Sequence, residues 1–220
     1  MTAAAGGWSV EWITGSAAEV HAREISADMG PTVWVVNPTD RSIVLGSTQR
    51  ESDVDVAAAH RHRLAITRRR SGGGAVLVTP ESMVWVDVIV PRSHPAWTDD
   101  IGRAAVWMGE RWAEALAAVG VEGTVLQPPM PSDELARVVC FVGRGPGEVV
   151  IGDTKVVGIS QRRTRDAARF QCAVLRSWEP EPLIDAMGLA ASDADRVRSA
   201  GAGLDLAPEA LVAALIDALG

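Results

Sequence analysis

The chain has 220 residues, 47% apolar and 22% charged, enough for one substantial domain of ordinary globular composition. Its formal charge of −7 excludes a general nucleic-acid binder, which would carry a broad basic face. No apolar run approaches the roughly 18 residues of a membrane span, and MTAAAGGWSVEW at the start has neither the basic opening nor the apolar centre of a signal peptide.

A cytoplasmic location is therefore expected, with Cys140 and Cys172 as reduced thiols. Residues 32–36 (TVWVV) and 42–46 (SIVLG) read as short strands separated by the turn NPTDR. Residues 53–59 suit a short helix, and the basic run HRHRLAITRRR follows. The glycines of RRRSGGGAV, residues 68–76, lead into AVLVT and SMVWVDVIV, two strands split by Pro80 and Glu81. The second contains Asp87 yet reads as a buried strand. Over 98–119 Ile101, Ala105, Met108, Trp112, Leu116 and Val119 recur every three or four residues, predicting an amphipathic helix that Gly120 ends. After the proline-rich loop QPPMPSDE (127–134), EVVIGDTKVVGISQ predicts a hairpin turning on Gly152-Asp153-Thr154. FQCAVL (170–175) is a further strand. Beyond residue 180 Pro208 opens a last helix with Leu211, Leu215 and Leu219 on one side. The expected organisation is one domain over 1–180 and a short helical tail over 181–220.

Three glycines without Cβ let a ligand come close to backbone N–H groups. Adjacent arginines supply charge suited to phosphate or carboxylate. RRRSGGGAV is thus an anion seat at the start of a strand, or a flexible basic turn; composition leaves both open. It is neither a Walker loop nor a dinucleotide fingerprint. His60 and His62 lack any neighbouring carboxylate or cysteine that would complete a metal set, and read as surface residues. The tryptophans, eight in all, read mostly as packing residues.

RRRSGGGAV is very similar to the signature of the lipoate-protein ligase A and octanoyltransferase family, within the biotin/lipoate ligase superfamily. EVVIGDTKVVGISQRR resembles the family's second motif, an acidic residue, a glycine turn, a lysine and a further glycine. VWVVNPTDRSIVLGSTQ is a weaker match through Gly46 and Gln49. The resemblance covers about residues 30–180 in the expected order. It implies an α/β fold of the α+β type, a mixed and largely antiparallel sheet flanked by helices. It implies transfer of a lipoyl or octanoyl group to the lysine of a lipoyl domain. The acceptors would be lipoyl domains of 2-oxoacid dehydrogenases or the glycine cleavage H protein. Acyl carrier protein or an accessory subunit would be further partners, and neither nucleic acid nor membrane.

Carried over residue by residue, Arg69, Arg70, Ser71, Gly72, Gly73, Gly74 and Val76 would wrap the acyl chain and its phosphate. Lys155 would contact the activated carbonyl, with Gly158 and Ser160 beside the acyl group. Cys140-Phe141 followed by Glu148 and Lys155 resembles the octanoyltransferase branch, where the cysteine holds the acyl group as a thioester and Lys155 would favour its thiolate. The alternative for Cys140 is a buried packing residue in VVCFV. The ligase branch instead uses ATP and Mg2+, for which Glu148 would be the metal ligand. Here GPGE replaces the Arg-Asn-Asp of that branch. Val78 and Thr79 stand where the family carries a histidine and an aspartate, and Gln171-Cys172-Ala173 replaces Gln-His-Gly, while Glu81 resembles the acidic residue of the octanoyltransferase version. These departures leave a second reading, a non-catalytic relative that binds an acyl chain, lipoate or a lipoyl domain.

Overall fold

A computed structural model of the chain describes residues 2–5, 7–26, 28–128 and 133–220, the first four by backbone only. The middle of the proline-rich loop, residues 129–132, lies outside the described residues. The strands are β1 (Thr2–Ala5), β2 (Trp8–Gly15), β3 (Thr32–Pro38), β4 (Ser42–Leu45), β5 (Ala65–Arg68), β6 (Val76–Val78), β7 (Met83–Pro91), β8 (Thr124–Val125), β9 (Val149–Ile151), β10 (Thr154–Arg163) and β11 (Ala167–Leu175). Eight of them form one sheet in the order β1-β2-β3-β7-β11-β10-β9-β8, antiparallel except where β2 meets β3. The remaining three form a small sheet, β5-β4-β6. Thus 32–36 and 42–46, neighbours in sequence, belong to different sheets.

The large sheet is covered on both faces, and β7, buried at every position, shows why its sequence is almost wholly apolar. Side chains alternate between faces along a strand. Val84, Val86, Val88 and Val90 pack in the main core with Met108, Trp112 and Leu116 of the helix α3 (Ile101–Ala118). Met83, Trp85, Asp87 and Ile89 face the other way. That face meets α1 (Ala17–Ala22), whose N-terminus is closed by a reciprocal Ser16–Glu19 capping box.

One expectation for α3 is corrected. Its buried stripe is Ala104, Met108, Trp112, Ala115 and Leu116, whereas Ile101 is 61% exposed. The first turn overhangs the open cleft described below, so Ile101 has nothing to pack beneath.

Residues after 180 form three helices, α4 (Glu181–Ala186), α5 (Ala191–Ala200) and α6 (Pro208–Leu219). The short α2 (Val56–Arg61) lies against α4. Leu183, Ile184 and Val197 enter the core beneath the small sheet. Leu211, Val212 and Leu215 enter the main core beside α3.

One polar element inside is an ion pair between β7 and β11. Asp87 and Arg169 are fully buried, with Nε and Nη2 of Arg169 donating to Asp87 Oδ2 at 2.8 and 2.5 Å. Trp85 Nε1 donates to the other carboxylate oxygen at 2.8 Å. The same guanidinium donates to the carbonyls of Val20 and Arg23 at 2.9 and 3.0 Å, tying the end of α1 to β11. Removing one partner of such a pair strands a buried charge. Asp87→Ala is therefore expected to lower unfolding free energy by about 3–5 kcal/mol in urea titrations. Asp99→Ala, which breaks an exposed pair with Arg92, is expected to leave the midpoint almost unmoved.

Candidate active site

The glycine loop after Arg69 and the segment carrying Cys140 are joined through their backbones. Ala75 N donates to Val138 O at 2.8 Å and Cys140 N to Ala75 O at 3.0 Å. Gln49 braces the same junction, accepting from Gly46 N at 2.9 Å and donating to Val138 O at 3.1 Å. Glycine is required here for closeness. A Cβ on Gly46 would lie 1.8 Å from Gly73 O, and Gly73 itself has φ +97°.

Arg69 is 4% exposed and turns inward. Nη1 donates to Val44 O at 3.1 Å, and Nη2 to Gly72 O and Gly74 O at 2.7 and 2.8 Å. Burial pulls its guanidinium below the ordinary value, and the adjacent Cys140 side chain opposes that pull. Arg70 points outward, paired with Glu24, which also accepts from Arg162 at 2.8 Å. Arg70 is thus not brought to the cavities.

Lys155 is the second residue of β10, after the two-residue turn at Gly152 and Asp153. The register between β9 and β10 slips between Lys155 and Val157, and such a bulge re-aims a side chain. Lys155 is 2% exposed. Its ammonium donates to Cys140 O at 2.7 Å, Gly143 O at 2.6 Å and both Glu148 oxygens at 3.0 Å. Glu148 also accepts from Gly145 N at 2.7 Å. The lysine therefore meets the carbonyl of Cys140. The Arg69 guanidinium is a cation beside the thiol, while the Lys155 ammonium is bonded to backbone carbonyls and Glu148. The turn carrying Glu148 rests directly on α3: a Cβ on Gly109 would lie 1.9 Å from Gly147 O, and one on Gly147 1.9 Å from Ala105 O.

Two cavities meet at Cys140, Ile159 and Ser160. One is narrow, about 50 Å³ of room for atom centres, and almost wholly apolar. Val76, Trp85, Phe141 and Gly158 line it together with Arg69 and Ser160. The other is an open cleft of about 500 Å³ with Gly72, Gly73, Ile101, Glu148 and Lys155 along its walls. Arg69 and Lys155 thus face different cavities, with Cys140 between them. Gly74 faces neither and packs on the backbone of 136–139. Cys172 is fully buried on β11, and burial pushes its thiol far above the ordinary value.

A polar chain leads inward from the junction. Ser160 and Ser71 hydroxyls are 3.0 Å apart, and Ser71 donates to Gln171 Oε1 at 2.6 Å. Gln171 Nε2 donates to His21 Nδ1 at 2.9 Å. His21, on α1, was not singled out from the sequence. The available signal is its place at the fourth position after the buried Ala17, next to Val20. Its ring packs against Trp85, tilted by 32° with ring centroids 4.8 Å apart. His60 is exposed, and His62 pairs with Asp185 at 2.9 Å. Among the described residues no three His, Cys, Asp or Glu side chains gather as a metal set, and no helix is long and apolar enough to cross a membrane.

Burial, with Arg169 and Arg69 nearby, holds the His21 pKa down to about 3. In the unfolded chain the value is about 6.5, so between these pH values the unfolded state binds the extra proton and stability falls as pH drops. The slope from this residue approaches about 1.4 kcal/mol per pH unit. His21→Gln is expected to flatten the fall in urea midpoint between pH 6 and 4.

Residues 16–204 match the lipoyl protein ligase A/B catalytic domain family. A curated relative, the octanoyltransferase LipM of Geobacillus kaustophilus, is 26% identical over 159 residues, covering 70% of this chain and 56% of its own length. The chain thus spans little more than half of that relative. Among solved structures, the bi-partite lipoate protein ligase of Thermoplasma acidophilum, studied with its E2 lipoyl domain, superposes with a TM-score of 0.70 at 17% identity, over 96% of this chain and 81% of that one. Lipoate-protein ligase A bound with ATP gives 0.72 at 18% identity, over 96% and 83%. The mixed sheet flanked by helices is the fold of these ligases, and with the match running from α1 to beyond α5, the chain belongs to the lipoyl protein ligase A/B catalytic domain family.

Proposed function

We propose that this protein is an acyltransferase that holds an octanoyl or lipoyl group on Cys140 as a thioester and passes it to the lysine of a lipoyl domain. The observation that carries this reading is the place of Cys140 where the narrow apolar cavity opens into the wide cleft. A chain lying in the first brings its carbonyl carbon to the sulfur. The cleft then leaves room for the donor thiol and afterwards for the acceptor lysine.

Sγ attacks the carbonyl of a donor thioester, such as that on acyl carrier protein. The bond from that carbonyl to the donor sulfur breaks, and the donor leaves as a thiol with the proton that Cys140 loses. The acceptor amine next attacks the new thioester, forming an amide and returning the proton to Sγ. The acceptor is the lipoyl domain of a 2-oxoacid dehydrogenase or the glycine cleavage H protein. Arg69 supplies fixed positive charge beside the sulfur. Lys155 acts through position, because its bonds to the carbonyls of Cys140 and Gly143 set the turn from which the thiol projects.

The residues present do not fit a magnesium nucleotide. Both oxygens of Glu148 are engaged by Lys155, and one by Gly145 N–H as well, and among the described residues no three His, Cys, Asp or Glu side chains gather to hold a cation.

Incubation with octanoyl carrier protein is expected to add one octanoyl mass to the intact protein. Cys140→Ala should lose the adduct and Cys172→Ala keep it. Transfer to a lipoyl domain that requires ATP and survives Cys140→Ala would overturn the reading.

A further inference from the structure

Ser160 is one of three residues, with Cys140 and Ile159, that line both cavities. It stands opposite Gln171 in the register of β10 and β11, so the two side chains share one face of the sheet. The polar chain that starts there has a direction. A serine hydroxyl has one proton to give and two lone pairs with which to accept. Ser71 gives its proton to Gln171 Oε1 at 2.6 Å, because an amide oxygen can only accept. The 3.0 Å bond between the two hydroxyls is therefore donated by Ser160.

The far end sets the same direction. Gln171 Nε2 can only donate, and His21 Nδ1, 2.9 Å away, must then carry a lone pair. Burial and the charges of Arg169 and Arg69 hold the pKa of that ring down to about 3. At neutral pH it is uncharged, with its single proton on Nε2. His21 thus orients Gln171, Gln171 orients Ser71, and Ser71 takes the Ser160 proton. What Ser160 keeps for the cavities is its oxygen lone pairs, beside Cys140 on the wall of the open cleft.

We propose that Ser160 is the hydrogen-bond acceptor that positions the attacking lysine amine over the Cys140 thioester. This rests on the transferase function above. The amine enters through the cleft, and one of its N–H groups donates to Ser160 Oγ while the nitrogen lone pair faces the carbonyl carbon. As the C–N bond forms and the C–S bond breaks, the nitrogen becomes positive and that hydrogen bond strengthens. Ser160 takes no proton; the one released goes to Sγ of Cys140. A thiolate attacking the same thioester has no proton to donate, so it makes no such bond. A hydroxyl that presents its oxygen also repels a developing oxyanion, so Ser160 does not serve the carbonyl oxygen.

The test starts from protein loaded with octanoyl and offers it two nucleophiles in parallel. One is the amine of a lipoyl domain; the other is the free thiol of acyl carrier protein, which reverses the loading step. Ser160→Ala is expected to lower the ratio of amine transfer to thiol exchange by about tenfold, the worth of one such hydrogen bond. Both rates falling together, as a structural defect or a lost oxyanion donor would produce, would overturn the proposal, and so would an unchanged ratio. The direction of the chain is read without activity by nitrogen-15 NMR of the histidine rings in the unaltered protein. His21 should be protonated at Nε2 and bare at Nδ1. A proton on Nδ1 would reverse every bond in the chain and overturn the proposal as well. Failure of the unaltered protein to form the octanoyl adduct would remove the transferase function and this role with it, whereas an adduct that forms, with an unchanged ratio in Ser160→Ala, removes only the role of Ser160.

Discussion

A buried ammonium survives in a protein interior only when its protons are all taken. Lys155 meets that condition with Glu148 and two backbone carbonyls, and those acceptors belong to the segment that presents Cys140. The β9–β10 hairpin, the turn before Glu148 and the Cys140 turn are consequently one rigid unit. Arg69 does the same for the glycine loop, and Arg169 for the end of α1. Three cations near the cavities thus act as internal struts, each converting loose carbonyls into fixed geometry.

This changes what the glycines are for. In isolation a run of three suggests a backbone opened to an anion. Here Gly73 and Gly74 let one chain segment lie against another, Gly73 on Gly46 and Gly74 on residues 136–139. The arginine next to them bonds to the loop's own carbonyls, and its neighbour Arg70 pairs at the surface. The loop is a packed junction, and the room for substrate lies on either side of it.

How far this was legible follows from the range of each signal. The alternation in β7, the three- and four-residue spacing in α3 and the glycine turn of the β9–β10 hairpin are local, and each element is found where its sequence places it. Partner choice is not local. Nothing in TVWVVNPTDRSIVLG distinguishes a strand of the large sheet from one of the small sheet, and the parallel pairing of β2 with β3 depends on α1 between them. The motif residues Arg69, Cys140, Gly158, Ser160 and Lys155 line the two cavities, and Ser71 bonds to Ser160 beside them. Their bonding partners were hidden, because a lysine after a hairpin turn reads as solvated until the bulge and Glu148 are seen. His21 was invisible for a related reason: it lies outside every recognisable motif, and what holds its helix beside the cavity is Arg169, nearly one hundred and fifty residues later in sequence.

The contact between Gly109 and Gly147 has a consequence for sequence drift. Main chain touches main chain there, and neither position has room for even a methyl group. The helix and the turn that holds Glu148 must therefore change together or not at all. Divergence in this part of the molecule is expected to fall on the helix's outward side chains, while the helix's Gly109 and the turn's Gly147 form a fixed seam that mutation can remove but not reshape.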